Sequence, residues 1–255
     1  MNHALQAAMA EAGETAESLA AQTGVDPKTA ARWISPGRIP QPRRRAKVAA
    51  ILGRDVGTLW PDVLKRREPP WLREWVDWER EAVALRWFEH TWVPGLLQTE
   101  AYARATLAGE SLAPSEVDEL VASRLDRQAI LRRDRPPMLV TAVFEGVLHQ
   151  SAYGDRDLMR EQVEHLLACA TLAAVQVLVV PKDVGMYPGL GGGFIIAELP
   201  GGEYVAHADS QARAEIITRA EEVATLSRRW ERIRGECLSR AQSLDLIRKA
   251  AESWT

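Results

Sequence analysis

The chain has 255 residues, of which 46% are hydrophobic, and a formal net charge of −3 at pH 7. This length is enough for two domains with a core in each. The only two cysteines, Cys169 and Cys237, exclude a disulfide framework or a metal motif and fit reduced thiols in a cytosol.

Short helices are the first predicted elements. One covers residues 3–12, and Thr15 then caps a second helix. Gly24 follows where a turn between two helices needs a positive φ. A third helix is expected over Asp26–Ser35, because Asp is a good N-cap and Pro is a good first helical residue.

The third helix is expected to present a cationic face. Lys28 and Arg32 are four residues apart and share its outer side, with Thr29 beside them, whereas Ala30 and Trp33 point inward. Such a face suits the DNA major groove. The alternative is a small helical hairpin with a glycine turn and no nucleic-acid partner.

A fourth helix is predicted to begin at Pro42 and end at Gly53, and Asp55 caps a last turn. These elements make a five-helix domain at residues 1–62. Four arginines lie where its loop would meet a DNA backbone: Arg38, Arg43, Arg44 and Arg45. We expect them to supply affinity and salt dependence rather than sequence choice.

Charge is distributed unevenly. Residues 24–67 contain eleven Lys and Arg against three Asp and Glu, a difference of +8. Residues 69–255 contain twenty-one against twenty-eight, a difference of −7. A basic module on an acidic body indicates a localised site for a polyanion.

The residues LAAQTGVDPKTAARW, followed by PGRIPQP, resemble the Cro/CI-type helix-turn-helix family. The resemblance implies binding to a double-stranded DNA operator, and a homodimer is expected because one such module reads only a half-site. Ala16 and Glu17 stand where the family often has a phosphate-contacting glutamine. The four arginines are therefore expected to supply more of the affinity for DNA.

The charged, proline-terminated stretch Lys65–Pro70 marks the domain boundary, with a linker at 63–71 and a second domain at 72–255. Trp71, Trp75 and Trp78 then share one face of a helix. At this spacing, an aromatic stripe indicates core or interdomain packing more often than a ligand cage.

The second domain alternates helices and strands. Five strands are predicted, at 84–90, 138–145, 175–181, 194–199 and 203–208. The third is almost wholly apolar and is expected to be central; the last two form a hairpin. Helices at about 211–235 and 239–252 close the chain. The fold class is α+β: an all-α N-terminal domain, then a mixed body with a small, mainly antiparallel sheet and C-terminal helices.

Several segments carry a second resemblance: VPGLLQTEAYARATL, SRLDRQAILRRDRPP, FEGVLHQ, MREQVEHLL, VQVLVVP, GGGFIIAELP and LSRAQSLDLIRKAAE. In that order they are similar to the C-terminal domain of uncharacterised function in the Scr-type antitoxin-like transcriptional regulators. The match covers about residues 72–252. It implies a bacterial regulator, often partnered by a small protein encoded nearby, and it transfers no catalytic residues.

Motifs for catalysis, metals and cofactors are missing from the sequence. The GLGGG run at 189–193 has no following Lys-Ser/Thr and precedes a strand, so a flexible turn or pocket rim is favoured over a phosphate loop. His165 and Cys169 are four apart without a second ligand pair. We therefore expect no enzyme, no metal and no cofactor.

The leading hypothesis is a transcriptional regulator whose body binds a small partner protein. The alternative is a small-molecule sensor, and a body that only dimerises is also open. A ligand or partner pocket is expected at these residues: Trp87, Trp92, Pro94, Gly95, Gln98, Tyr102 and Glu145. Glu145 ends an apolar strand, so its carboxylate could be a buried acceptor or a pocket group, but the favoured interpretation is a charge at the start of a helix formed by FEGVLHQ.

Membrane insertion and export are not expected. The start of the chain lacks the basic region of a signal peptide. The longest apolar run, Leu166–Val180, has fifteen residues and is interrupted by Thr171 and Gln176. We expect a cytoplasmic protein.

Overall fold

The structure is a computed structural model that describes residues 2–35, 38–54, 56–60, 70–150, 155–209 and 214–254. Only the backbone is described at 42, 43, 57, 70–73, 209 and 214. The chain divides into two compact units, Met1–Trp78 and Glu79–Thr255.

The first unit contains the predicted series of short helices. They are α1 (His3–Glu11), α2 (Ala16–Thr23), α3 (Pro27–Arg32), α4 (Pro42–Leu52) and α5 (Val56–Leu59). Helix α3 ends at Arg32, before the predicted Ser35, although turn hydrogen bonds continue as far as the Ser35 N–H, which donates to the Arg32 carbonyl at 2.9 Å. Asp55, the predicted cap of α5, lies outside the described residues.

One hydrophobic cluster holds these helices together, and it includes the predicted inward residues Leu19, Ala20, Ala30 and Trp33. The start of α1 is tied to the end of α5, because the Asn2 side chain donates to the Leu59 carbonyl at 2.7 Å. The small unit thus has a core of its own.

Helix α6 (Pro70–Glu81) contains the point at which the chain divides. Trp75 and Trp78 are 0% and 2% exposed, as expected for a packing stripe. The Trp71 side chain and nearly all of the predicted linker at 63–71 lie outside the described residues.

The second unit is built on a mixed sheet that has six strands among the described residues. These are β1 (Ala84–Glu89), β2 (Met138–Phe144), β3 (Val175–Val180), β4 (Phe194–Glu198), β5 (Tyr204–Asp209) and β6 (Ala214–Ile217). Their order is β3-β2-β1-β4-β5-β6. The β1–β2 and β2–β3 pairs are parallel and the other three are antiparallel. The α+β class is confirmed.

Helices cover this sheet and its edge. They are α7 (Glu100–Thr106), α8 (Pro114–Arg127), α9 (Glu145–Leu148), α10 (Arg156–Cys169), α11 (Ala220–Glu236) and α12 (Arg240–Ser253). Helix α11 packs on one sheet face, where Trp230 joins a cluster with Phe88 of β1, Ala142 of β2 and Ile196 of β4. No helix in the described part of the chain combines the length and apolar character needed to cross a membrane.

The prediction that β3 is central is wrong, since β3 is an edge strand. Its apolar character is explained by the chain that covers the edge. Val179 donates its N–H to the Ser243 hydroxyl at 3.0 Å and accepts at its carbonyl from the Leu238 N–H at 2.9 Å. The start of α12 thus satisfies the edge in place of another strand.

The predicted start of the penultimate helix is also wrong. Residues 214–217 form β6, which pairs with β5, and α11 begins only at Ala220. The segment Ala214–Ile217 contains two adjacent isoleucines, whose β-branched side chains favour a strand over a helix. The helical pattern that follows in α11 hid this short strand.

Candidate functional site

The α2–turn–α3 unit is fixed by local hydrogen bonds. Thr15 and Ser18 form a reciprocal capping box at the start of α2, with distances of 3.1 and 2.8 Å. Gly24 ends this helix with a φ of 71°. The Asp26 carboxylate accepts the Lys28 N–H at 2.8 Å, which caps α3. The predicted roles of Thr15 and Asp26 as caps and of Gly24 in the turn are confirmed.

A carboxylate just before α2 adds to this anchoring. Glu14 accepts hydrogen bonds from the Ser18 hydroxyl and from the Gln22 side chain. The hydrogen bond from Ser18, followed by that from Gln22, lowers the pKa of Glu14. The side chains of Glu14 and Thr15 therefore both hold the first turn of α2, through Ser18.

The outer face of α3 carries the predicted contact residues. Lys28 and Arg32 are exposed, and Thr29 between them is half-buried. Ala30, on the opposite side, is only 3% exposed. The helix therefore presents two cationic side chains to solvent while its other face anchors it to the core.

The predicted backbone-contacting arginines divide into different environments. Arg38 is exposed and Arg44 is half-buried, whereas the Arg43 side chain lies outside the described residues. Arg45 is 2% exposed and forms a buried ion pair with Asp77. This burial corrects the expectation that Arg45 lies at the surface against DNA, because its position in α4 turns it toward the protein interior.

The residues predicted as a pocket on the second unit have other surroundings. Five of them are buried: Trp87, Pro94, Gln98, Tyr102 and Glu145. Gly95 is half-buried, and Trp92 is 39% exposed. The side chains of Trp87, Gln98, Tyr102 and Glu145 form hydrogen bonds with other residues of the chain.

The PGLLQT turn is the centre of a buried hydrogen-bond network. Gln98 donates to the Val93 carbonyl at 2.6 Å and accepts from Arg124 at 2.9 Å. The Tyr102 hydroxyl accepts the Val93 N–H at 3.2 Å. Gln162 of α10 accepts the N–H of Thr99 and donates to the carbonyl of Leu97, both at 2.8 Å. These hydrogen bonds provide partners for buried polar groups, which would destabilise the fold if they were left unpaired.

The Trp87 indole and the Gly95 backbone also have partners. Trp87 donates its indole N–H to the Glu89 carboxylate at 3.1 Å. A β-carbon at Gly95 would lie 3.8 Å from the Trp87 ring and 3.9 Å from the Arg124 side chain. The turn at Gly95 therefore lies close to the Trp87 ring and the Arg124 side chain.

Glu145 begins α9, so the favoured helix-start interpretation is confirmed. Its carboxylate accepts the backbone N–H of Lys182 at 2.9 Å, and the Lys182 ammonium lies 3.8 Å away. The carboxylate joins the end of β2 to the segment after β3.

An open groove of about 460 Å³ includes Leu96 of the PGLLQT turn in its lining, and we call it the α8–α10 groove. It is lined by Leu96, Leu125, Gln128, Ala129, Leu131, Arg132, Arg133, His165, Cys169 and Leu172. The groove could not be predicted from the sequence, because its lining comes from three separated stretches of chain.

His165 and Cys169 meet in this groove, with 3.4 Å between the imidazole Nε2 and the thiol sulfur. Burial, and then the charge of Arg132, lower the pKa of His165, while burial raises the pKa of Cys169. Both groups are therefore neutral near pH 7, and a protonated thiol is a weak nucleophile. Within the described ranges, no three His, Cys, Asp or Glu side chains are placed to hold a metal ion.

A second groove of about 460 Å³ lies between α11 and the turn at Pro188–Gly191, and we call it the α11 groove. Its lining includes Arg228, Arg229 and Arg232. The signal in the sequence is their spacing, which places them opposite the buried Val223 and Trp230. The GLGGG run supplies its rim through Gly191.

Comparison with known proteins identifies the second unit. The family described as "Domain of unknown function (DUF5753)" matches residues 72–249. The chain belongs to this family. The DUF5753 match runs from α6 into α12 and therefore includes the PGLLQT network and both grooves. No curated protein and no solved structure matches the chain.

Proposed function

We propose that this DUF5753 protein is a cytoplasmic, sequence-specific DNA-binding transcriptional regulator of a bacterium. The observation that carries the proposal is the outer face of α3, where Lys28 and Arg32 are exposed on a helix that follows a capped glycine turn. This helix lies in the segment 24–67, which has the charge difference of +8.

In this proposal, α3 enters the major groove and its cationic side chains contact base edges or nearby phosphates. Thr29 is close enough to the surface to join them. Arg38 and Arg44 contact the DNA backbone and add to the salt dependence. Two copies of the chain bind as a homodimer, because a single recognition helix reads one half-site.

The body is proposed to control operator occupancy by binding a small partner protein, as in antitoxin-like regulators. It has no catalytic role in this proposal. Its charge difference of −7 over residues 69–255 leaves DNA contact to the first unit. Co-purification of the intact chain from its host, with mass spectrometry for proteins and small molecules, tests the partner.

Replacement of Arg32 by alanine tests DNA recognition. A site is first selected from random-sequence duplex DNA with the intact chain, and binding is titrated at matched salt. We expect Arg32→Ala to weaken binding to the selected site by about 1–3 kcal/mol, with folding intact because Arg32 is exposed. Undiminished binding would contradict the proposal.

Arg54→Ala provides a matched control. The Arg54 side chain is 49% exposed and pairs with Glu11, outside the proposed contact set. Its replacement removes the same charge and is expected to leave the preference for the selected site unchanged. A similar loss with both variants would indicate only general attraction to DNA.

A second candidate function is small-molecule sensing, and the α8–α10 groove favours it. The groove combines apolar side chains with Gln128, Arg132 and His165, a mixture suited to an amphiphilic ligand. A metabolite library screened by thermal shift tests this candidate. A hit should lose its effect in Ala129→Trp, which fills the groove, and a hit that keeps its effect would contradict binding there.

A further inference from the structure

The α11 groove combines fixed walls with a cationic lining. Thr225, Arg228, Arg229 and Arg232 lie on the exposed stripe of α11, opposite its buried residues. Pro188 and Gly191 of the neighbouring turn form the other wall. The groove is open to solvent along this stripe.

Both walls are anchored in the core. The Tyr187 ring packs edge-on against Phe88 with centroids 6.1 Å apart. A β-carbon at Gly189 would lie 2.2 Å from the Tyr187 ring and 2.5 Å from the Phe88 ring, so the turn packs tightly against both rings. On the other wall, Trp230 is 1% exposed. A groove with such walls is preformed for a partner.

Helix α11 has four acidic residues, and two of them pair with arginines outside the groove lining. Glu222 lies 3.7 Å from Arg219, and Glu231 lies 3.6 Å from Arg234. Arg228 donates to the Thr225 hydroxyl at 2.9 Å.

Among the described residues, Arg229 and Arg232 have no carboxylate within ion-pair distance. Three positive charges therefore converge on one surface of a body whose net charge is negative.

Two exposed apolar residues lie in or next to the turn that forms one wall of the groove. Met186 is 92% exposed and Leu190 is 59% exposed, and both belong to the segment that contains the turn. Single exposed apolar residues are common, but two large ones beside a cationic groove form a mixed surface. Such a surface matches a chain segment that carries both carboxylates and apolar side chains.

We propose that the α11 groove docks an acidic amphipathic segment of the small partner protein. Carboxylates of that segment pair with Arg228, Arg229 and Arg232, where the arginine fork favours bidentate contacts. Its apolar side chains cover Leu190 and Met186. The apolar border favours a peptide over a nucleic-acid phosphate. The inference rests on the partner-controlled role proposed for the body.

A labelled peptide tests the inference directly. The probe is a helical peptide with glutamates along one side and leucines beside them, and its control has glutamine at every glutamate. Fluorescence anisotropy with the intact chain should show binding that weakens as salt rises. The glutamine peptide should bind about tenfold more weakly or worse. Equal binding of the two peptides, or binding of neither, would overturn the inference.

Charge reversal in the groove provides the second arm. Arg228→Glu combined with Arg232→Glu should abolish binding of the acidic peptide, and the corresponding glutamine variants should weaken it. Arg248→Glu on α12 makes the same charge change outside the groove, and it should leave binding unchanged. Circular dichroism checks that each variant is folded. Unchanged binding in the double variants would overturn the inference.

Two further measurements identify competing occupants. If a duplex oligonucleotide displaces the peptide and binds more tightly at this face, the proposed peptide site is wrong. If sedimentation shows a dimer that the double charge reversal dissociates, the groove is an interface between copies and the inference is again wrong. Operator binding that depends on Arg32 tests the DNA proposal separately, so failure of one proposal is distinguishable from failure of the other.

Discussion

Replacing Arg45 distinguishes a role in protein stability from a role in DNA contact within the basic run at residues 43–45. Arg45 is 2% exposed and pairs with Asp77, whose side chain is 8% exposed. Its neighbour Arg44 is half-buried. We expect Arg45→Met, which keeps much of the side-chain volume and removes the charge, to destabilise the protein without removing a DNA contact.

The magnitude follows from burial. Removing one partner of a buried ion pair costs about 3–5 kcal/mol, because the other charge stays in a poorly solvated site. This is a large part of the stability of about 5–15 kcal/mol that is typical of a domain. Replacing both partners, as in Arg45→Met with Asp77→Leu, should recover most of the loss, since no charge remains buried.

Urea unfolding of the intact chain, followed by far-ultraviolet circular dichroism, measures the loss. Arg44→Met is the matched control and should change the free energy of unfolding by no more than about 0.5 kcal/mol. At a temperature where every variant is folded, Arg45→Met should bind a selected DNA site within about twofold of the parent chain. Unchanged stability together with weaker DNA binding would refute this assignment of Arg45.

Three other predictions concern the second unit. Gly189→Ala should destabilise this unit by about 1–3 kcal/mol in thermal unfolding, because the new methyl group would clash with two aromatic rings. Gly191→Ala is the control and should be nearly neutral, because there is open space around its β-carbon. Ser243→Ala should cost about 1–3 kcal/mol in urea unfolding, since it leaves the N–H of Val179 without its acceptor; an unchanged midpoint would argue against this edge cap. Burial raises the pKa of the Cys237 thiol to about 12, so its alkylation at pH 8 should be much slower than that of free cysteine. The same raised pKa implies that stability is lost as pH rises from about 9 toward 12, because the unfolded thiol ionises first. Rapid alkylation of Cys237 in the folded chain would contradict the raised pKa of this thiol.

Local signals predicted the first unit well because its boundaries are set by neighbouring residues. Thr15 and Asp26 cap helices, and Gly24 and Gly53 have the positive φ that their turns need. Each of these preferences acts over three or four residues, so the sequence displays it directly.

Long-range partners in the body were not predictable in this way. The apolar run Val175–Val180 indicated burial correctly, but the covering of β3 by Ser243 lies outside any local pattern. The pair Glu79–Arg127, with distances of 2.9 and 2.7 Å, joins residues 48 positions apart. Their burial could not be inferred from sequence spacing.

The candidate functional residues show the same difference between local signals and long-range contacts. The exposure of Lys28 and Arg32 follows from helical periodicity, so the predicted outer face agrees with the structure. The burial of Arg45 depends on a partner in α6, and the packing of Gln98 depends on α8. A residue that the sequence pattern places at the surface or in a pocket can thus be buried against an element that is distant in the chain.

Selection of DNA from a random-sequence duplex library, with the intact chain at matched salt, is the decisive measurement for sequence-specific DNA binding. We expect enrichment of a two-fold symmetric site whose half-sites lie about one helical turn, or a multiple of it, apart. Affinity for that site should fall with Arg32→Ala and stay unchanged with Arg54→Ala. Equal retention of all sequences, with no enriched site after repeated rounds, would contradict sequence-specific binding.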